Sequence, residues 1–176
     1  MVITGTTIQL RPFKESDDKK VALLCNNRNL SDNLRDQIPF PYTEQDARVF
    51  ISFCLGQNPQ VTFAIEYQQE LAGCIGLVLQ NDIYRLSAEI GYWIGEPYWG
   101  KGIATEAVQL VSEYAFQELN LVRLYAGVFD FNKASQKVLE KAGFELEGIL
   151  KKAIIKNNKI LDECRYARIN KNFLVL

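Results

Sequence analysis

An α+β fold (α/β layered), built on a mixed, mostly antiparallel sheet, is what this sequence predicts. Three observations carry that reading. Short strand-like segments outnumber helical ones, several follow one another with only a turn between, and one strand–helix–strand passage lies near the middle. The order reads β-α-α-β-β-β-α-β-α-β-β over 176 residues. That length suits a single domain, expected to span residues 1–176.

"TTIQLRPF" alternates as a strand does, and Pro12 ends it. Ser16 or Asp17 can cap the helix in "DDKKVALLCNN". Further on, Thr43 and Asp46 form a T-x-x-D capping box that opens a helix through Phe53. "VTFAIEY", the polar turn "QQE" and "LAGCIGLVLQ" read as a hairpin, and "RLSAEIGYWIG" as a fourth strand. Ala107, Val108, Val111, Ala115 and Leu119 then make one apolar stripe at helical spacing. After the buried-looking strand "VRLYAGVF", Asn132 caps "KASQKVLEKA", with Gly143 in the C′ position. The end is a second hairpin, "FELEGILKKAIIK" and "KILDECRYARI", turning at Asn157-Asn158.

Composition excludes several function classes. A formal charge of −1 argues against nucleic acid as a partner, because binding a phosphate backbone needs surplus Lys and Arg. Lys151, Lys152 and Lys156 form a short cluster that reads as a solvated strand face. Cys25, Cys54, Cys74 and Cys164 are scattered without a C-x-x-C pair, so they read as small buried hydrophobes and not as metal ligands. The N-terminus lacks a signal-peptide pattern and no stretch reaches about 18 apolar residues, so neither secretion nor a membrane is expected. The expected compartment is the cytoplasm. Histidine is absent, which removes Ser-His-Asp triads and imidazole bases.

One stretch carries chemistry: "IGEPYWGKGIATEA". Gly95, Gly100 and Lys101 have P-loop spacing, yet Gly102 stands where a triphosphate loop needs a hydroxyl for magnesium. Pro97 has no N–H to give, and Tyr98 and Trp99 would crowd a tight cradle. A dinucleotide loop fails as well, since Gly100-x-Gly102 continues to Thr105 where a third glycine belongs. What remains is a strand end, a two-glycine turn and a helix start. Such a turn lets backbone approach a diphosphate, helix N–H groups point at it, and Lys101 adds charge.

"EIGYWIGEPYWGKGIATEAV" followed by "NKASQKVLEKAGFELEG" resembles the GNAT N-acetyltransferases, closest to the RimJ/RimL-like type that acetylates ribosomal-protein N-termini. The likeness extends to "TGTTIQLRPFKESD", "IPFPYTEQDARVFI" and "KNNKILDECRYARI". It implies a twisted sheet with helices on both faces and a splayed central strand pair, with acetyl-CoA as co-substrate and no metal. The family's loop, R/Q-x-x-G-x-G/A, falls on Trp99, Gly100, Lys101, Gly102, Ile103 and Ala104, with Trp99 in place of Arg or Gln. Thr105 follows in the same helix start, and Asn132 matches the family's CoA-binding asparagine. Gly91 fits a bulge, and the backbone of Tyr92, Trp93 and Ile94 is expected to pair with pantetheine as a peptide strand would.

The reaction needs a neutral amine, a stabilised oxyanion and a proton for the departing thiolate. With no histidine, Glu89 is the expected base, acting through water; its plainer role is an exposed strand carboxylate. The family's tyrosine acid is replaced by Leu139, and Ser135, one turn earlier on the same helix side, is the expected substitute. The acceptor is a primary amine, on a protein N-terminus such as a ribosomal protein's or on a small molecule. Residues 35–43 and the last hairpin are expected to wall it. Homodimerisation is common among such proteins. A different reading stays open, a catalytically silent acyl-CoA-binding sensor.

Overall fold

The computed structural model describes residues 1–173. In chain order the elements are β1 (Ile3–Thr4), β2 (Ile8–Arg11), α1 (Asp18–Cys25), α2 (Arg28–Ser31), α3 (Glu44–Leu55), β3 (Thr62–Tyr67) and β4 (Glu70–Leu79). There follow β5 (Ser87–Ile94), α4 (Ile103–Gln117), β6 (Arg123–Phe129), α5 (Lys133–Lys141), β7 (Glu145–Lys156) and β8 (Lys159–Ile169). The strand order is β1-β2-β3-β4-β5-β6-β8-β7. β5 and β6, joined through α4, pair in parallel, whereas β1–β2, β2–β3, β3–β4, β6–β8 and β7–β8 are antiparallel. The mixed sheet and its βαβ passage are therefore as expected. β1 and α2 were not foreseen, because two residues and a single turn are too short to show a period. No helix among the described residues is long and apolar enough to cross a membrane.

Two compact units divide the chain. The first comprises Met1–Gly76 and Tyr92–Ala107; the second comprises Leu77–Gly91 and the described residues from Val108 onward. In the first, Phe13, Val21, Leu24, Ala47, Ile51 and Trp93 form a core with Cys25, Cys54 and Cys74. Burial pushes the Cys25 and Cys54 thiols up to about 12, so all three behave as small apolar groups. The capping box forms as expected: Asp46 N–H donates to Thr43 Oγ1 (3.2 Å) and Thr43 N–H to Asp46 Oδ2 (2.8 Å), and α3 runs past Phe53 to Leu55. The β3–β4 turn holds Gln68 and Gln69 at φ 51° and 65°, a left-handed pair reached without glycine.

One expected cap is corrected. Neither Ser16 nor Asp17 caps α1 through its side chain. Asp17 instead accepts Arg11 Nη1 and Nη2 (2.8 and 3.0 Å) and the Lys14 N–H (2.8 Å), while Arg11 Nε donates to Glu66 (2.7 Å). Arg11 is only 9% exposed, and a buried guanidinium needs this carboxylate more than the helix needs a cap.

In the second unit β6 alternates, with Leu124, Ala126 and Val128 buried. Asn132 Oδ1 accepts the Ser135 N–H (3.0 Å), capping α5 as expected. At its other end Gly143 adopts φ 85°, Phe144 N–H reaches Leu139 C=O (3.0 Å) and Gly143 N–H reaches Glu140 C=O (3.1 Å), a Schellman close. The turn of the last hairpin lies at Asn157 and Asn158, at φ 49° and 60°. Lys151 and Lys152 are exposed, but Lys156 is buried, so the solvated basic face is shorter than expected. A register shift between Leu150 and Ile154 changes which side chains face which side. Along α4 the stripe Ala107, Val108, Val111 and Ala115 is fully buried; Leu119 lies beyond its end and is half-buried.

Candidate active site

The C-terminal half of β5 leads into the glycine loop. A Cβ added to Gly73 of β4 would stand 2.3 Å from the Trp93 carbonyl, and Gly95 N–H donates to Ala72 C=O (2.8 Å). Successive strand residues turn their backbone groups to opposite edges, so Tyr92 and Ile94 address the edge away from β4. Pairing of β5 with β6 covers only Ser87 to Glu89, opposite Arg123 to Tyr125, although β5 continues to Ile94 and β6 to Phe129.

Gly95 owes its place to packing. An added Cβ would meet Leu24 Cδ2 at 2.6 Å, so the P-loop-like spacing arises from close contact with α1. Gly100 and Gly102 differ. Both are left-handed, at φ 75° and 79°, and a Cβ on either would meet nothing within 4 Å. They are glycines for their backbone angle and leave open space where side chains would stand. α4 then starts at Ile103, and its first intrahelical bond runs from Glu106 N–H to Gly102 C=O (3.1 Å). The amides of Ile103, Ala104 and Thr105 precede that bond and have no intrahelical acceptor, an arrangement suited to a phosphate.

Trp99 is 44% exposed, and its Nε1–H donates to Ile94 C=O (2.6 Å), fastening the loop to the end of β5. The Lys101 ammonium rests 5.5 Å from the Tyr67 ring centre and 5.4 Å from that of Tyr98. Its charge is thus held by two aromatic faces, which the sequence does not foretell. Glu96 accepts from the side chains of Asn27 and Asn29 and ties the loop to the α1–α2 connection.

Glu106 fastens the helix start to the β1–β2 turn. It accepts the Thr7 N–H (2.9 Å), the Thr6 N–H and the Thr7 hydroxyl. Burial pushes its carboxyl up, but these hydrogen bonds outweigh burial and hold it below its ordinary value. A depressed folded value means stability present above the unfolded value, about pH 4.3, and lost as pH falls through the lower folded one. Glu106→Gln should therefore cost about 1 kcal/mol at pH 7, or about 2–4 °C in Tm, after allowance for solvent screening. Thermal unfolding from pH 7 to pH 3 checks this, because the gap to wild type must close in acid. Equal Tm values at pH 7 would count against it.

In the second unit, Glu89 is half-buried at the last paired position of β5, opposite Tyr125. Ser135 is half-buried in the first turn of α5, and Leu139, one turn on, is fully buried. Leu139 is therefore a core residue, and the hydroxyl on that side of the helix belongs to Ser135. Of the expected acceptor wall, Tyr42 is instead part of the first unit's core, while Phe40 is exposed with Arg28 5.4 Å over its ring. Glu163 and Arg165 of β8 were not foreseen. Arg165 Nε and Nη2 both donate to Glu163 Oε1 (3.0 and 2.5 Å), and the guanidinium lies 5.1 Å over Tyr125.

The acetyltransferase (GNAT) domain family matches residues 7–145. A probable N-acetyltransferase of Bacillus subtilis, YjcK, is 35% identical over 172 residues, covering 87% of this chain and 88% of its own. The ribosomal-protein-serine acetyltransferase of Escherichia coli is 33% identical over 169 residues, 93% of each chain. Among solved structures, the ribosomal L7/L12 α-N-protein acetyltransferase RimL in complex with coenzyme A superposes with a TM-score of 0.86. It is 26% identical, over 96% of this chain and 98% of that one.

Proposed function

The chain belongs to the GNAT acetyltransferase family, and from that premise we propose how its residues move an acetyl group from acetyl-CoA to a primary amine. The observation that carries the reading is the pair of left-handed glycines with open space beside them, at the start of α4. Amides from Gly100 to Thr105 hold the diphosphate, which needs no metal bridge when backbone N–H groups and a helix dipole face it. The backbone of Tyr92 and Ile94, on the β5 edge away from β4, pairs with the pantetheine amides as an added strand would. Trp93 contributes by packing, since its carbonyl is turned to β4. Trp99 takes no part through charge; its indole holds Ile94 and the loop together. Asn132 sets the start of α5, the helix that carries Ser135.

Acetyl-CoA supplies the thioester. Glu89, through a water, takes one proton from the amine as its nitrogen bonds to the acetyl carbon. A β5 backbone N–H stabilises the charge that develops on the carbonyl oxygen. Ser135 gives a proton to sulfur as the carbon–sulfur bond breaks and recovers, by way of water, the proton that Glu89 took, leaving an N-acetylated amine and free CoA. The acceptor is a protein N-terminal α-amine, for which the E. coli ribosomal-protein-serine acetyltransferase gives the support, or a small amine of like reactivity.

Acetyl-CoA should stabilise the protein and Mg-ATP should not. At about 100 times Kd a ligand adds roughly 2.7 kcal/mol, or about 5–11 °C in Tm for a chain of this size. Thermal unfolding with each ligand, followed by CoA release with a panel of primary amines, tests the reading. A shift with Mg-ATP and none with acetyl-CoA would refute it.

A further inference from the structure

The second unit carries an acidic group that the reaction as described does not use. Directly opposed strand residues share a sheet face. The pairs Glu89↔Tyr125, Gly127↔Arg165 and Phe129↔Glu163 therefore set Glu89, Tyr125, Gly127, Glu163 and Arg165 on one face, opposite to buried Leu124, Ala126 and Val128. On that face Glu163 leans diagonally over Gly127. A Cβ on Gly127 would stand 2.7 Å from Oε2 and from the carboxyl carbon, and 2.9 Å from Oε1. The carboxylate occupies the space a side chain would need, so any larger residue at Gly127 must turn the Glu163 side chain aside.

Arg165 fixes which oxygen is left. Its two donors both go to Oε1, and its guanidinium is held on the Tyr125 ring. Oε2 is turned over the Gly127 backbone, and the side chain of Glu163 is 12% exposed. Gly127 lies one strand repeat, about 6.6 Å, beyond Tyr125, the residue opposite Glu89. One strand repeat beyond Glu89 on β5 stands Gly91, exposed and with nothing within 4 Å of an added Cβ. Past the last β5–β6 pair the next residue of each strand on this face is a glycine, Gly91 or Gly127, with Glu89, Glu163 and Phe129 as the neighbouring side chains on it.

Resting on the acetyltransferase reading, we infer that Glu163 binds the acceptor: its Oε2 receives the amine as an ammonium ion and holds the nitrogen over the Gly91–Gly127 floor, beside Glu89. An amine with a pKa of about 8 to 10.4 arrives protonated at neutral pH. A carboxylate oriented by an arginine offers such a cation a short, charge-assisted hydrogen bond. Glu163 selects and positions the ammonium. One proton first leaves through the Glu89 water to solvent, which frees the nitrogen lone pair. Glu89 then takes the second as nitrogen bonds to the acetyl carbon. The substrate class is a cationic primary amine, unbranched enough at the nitrogen to lie on two glycines.

Steady-state CoA release separates this role from a merely structural one. The acceptors are n-butylamine, 1,4-diaminobutane and a short peptide with a free N-terminus. Glu163→Gln keeps an oxygen for Arg165 but removes the charge. It should raise the amine KM about tenfold or more, with acetyl-CoA KM within about twofold and Tm held. Gly127→Ala, which turns the carboxylate aside without removing it, should raise the same KM, and it takes over as the test if the Gln variant does not fold. An amine KM unchanged in the variant overturns the assignment of Glu163 while leaving acetyl transfer intact. A wild-type protein that releases CoA with none of the amines removes the reaction itself, and the Glu163 role with it.

Discussion

Glu89→Gln should lower kcat by about 10²–10⁴-fold while leaving the KM for acetyl-CoA nearly unchanged. The expectation rests on elimination and on place. The chain has no histidine, so a carboxylate is the available base for an amine that arrives protonated. Glu89 stands at the last paired residue of β5, one strand repeat before Gly91. The rival role, a strand carboxylate that only supports the sheet, predicts a fall in Tm with kcat retained. Initial rates with saturating amine, read beside thermal unfolding of the same variant, divide the two. Retained kcat would move the proton transfer to solvent and leave Glu89 a structural residue.

Ser135→Ala should lower kcat by about 10²-fold and leave acetyl-CoA affinity nearly unaltered. The low end of the range applies because a thiol of pKa about 8.5 leaves fairly well without help. Leu139, fully buried and aliphatic, cannot supply the proton. The Ser135 backbone is already engaged, its N–H being given to Asn132, so the substitution leaves that cap in place and removes the hydroxyl alone. If the hydroxyl only steadied the cofactor, KM for acetyl-CoA would rise and kcat would hold, the mark of lost uniform binding. Unchanged kcat would take Ser135 out of the mechanism.

Much of the fold was legible because its determinants are local. A capping box closes between residues three apart, so Thr43 and Asp46 announce the start of α3 without help from the rest of the chain. The same holds for Asn132 at the start of α5, Gly143 after its end, and the Asn157-Asn158 turn. The two-glycine turn was legible for a related reason: left-handed backbone at Gly100 and Gly102 is a property that glycine itself confers. Family likeness added Glu89 and Ser135 as candidates, residues that no periodicity would single out.

What only the tertiary structure decided is where competing uses of one side chain were resolved. Asp17 looked like a helix cap, but burying the Arg11 guanidinium demanded its carboxylate, and desolvation of a cation outweighs an exposed cap. Gly95 looked like part of a phosphate loop, yet Leu24, 71 positions away, accounts for it by steric approach alone. Lys101 looked like a loop charge, and two tyrosines from separate segments hold its ammonium. Glu163 carried no signal, because its meaning depends on a missing Cβ in another strand, 36 positions away. Backbone angles and caps are set within a few residues and can be read there. A charge or a close contact acquires its partner only when the sheet brings distant residues together, since Coulombic and steric terms depend on distance in space and are blind to separation along the chain.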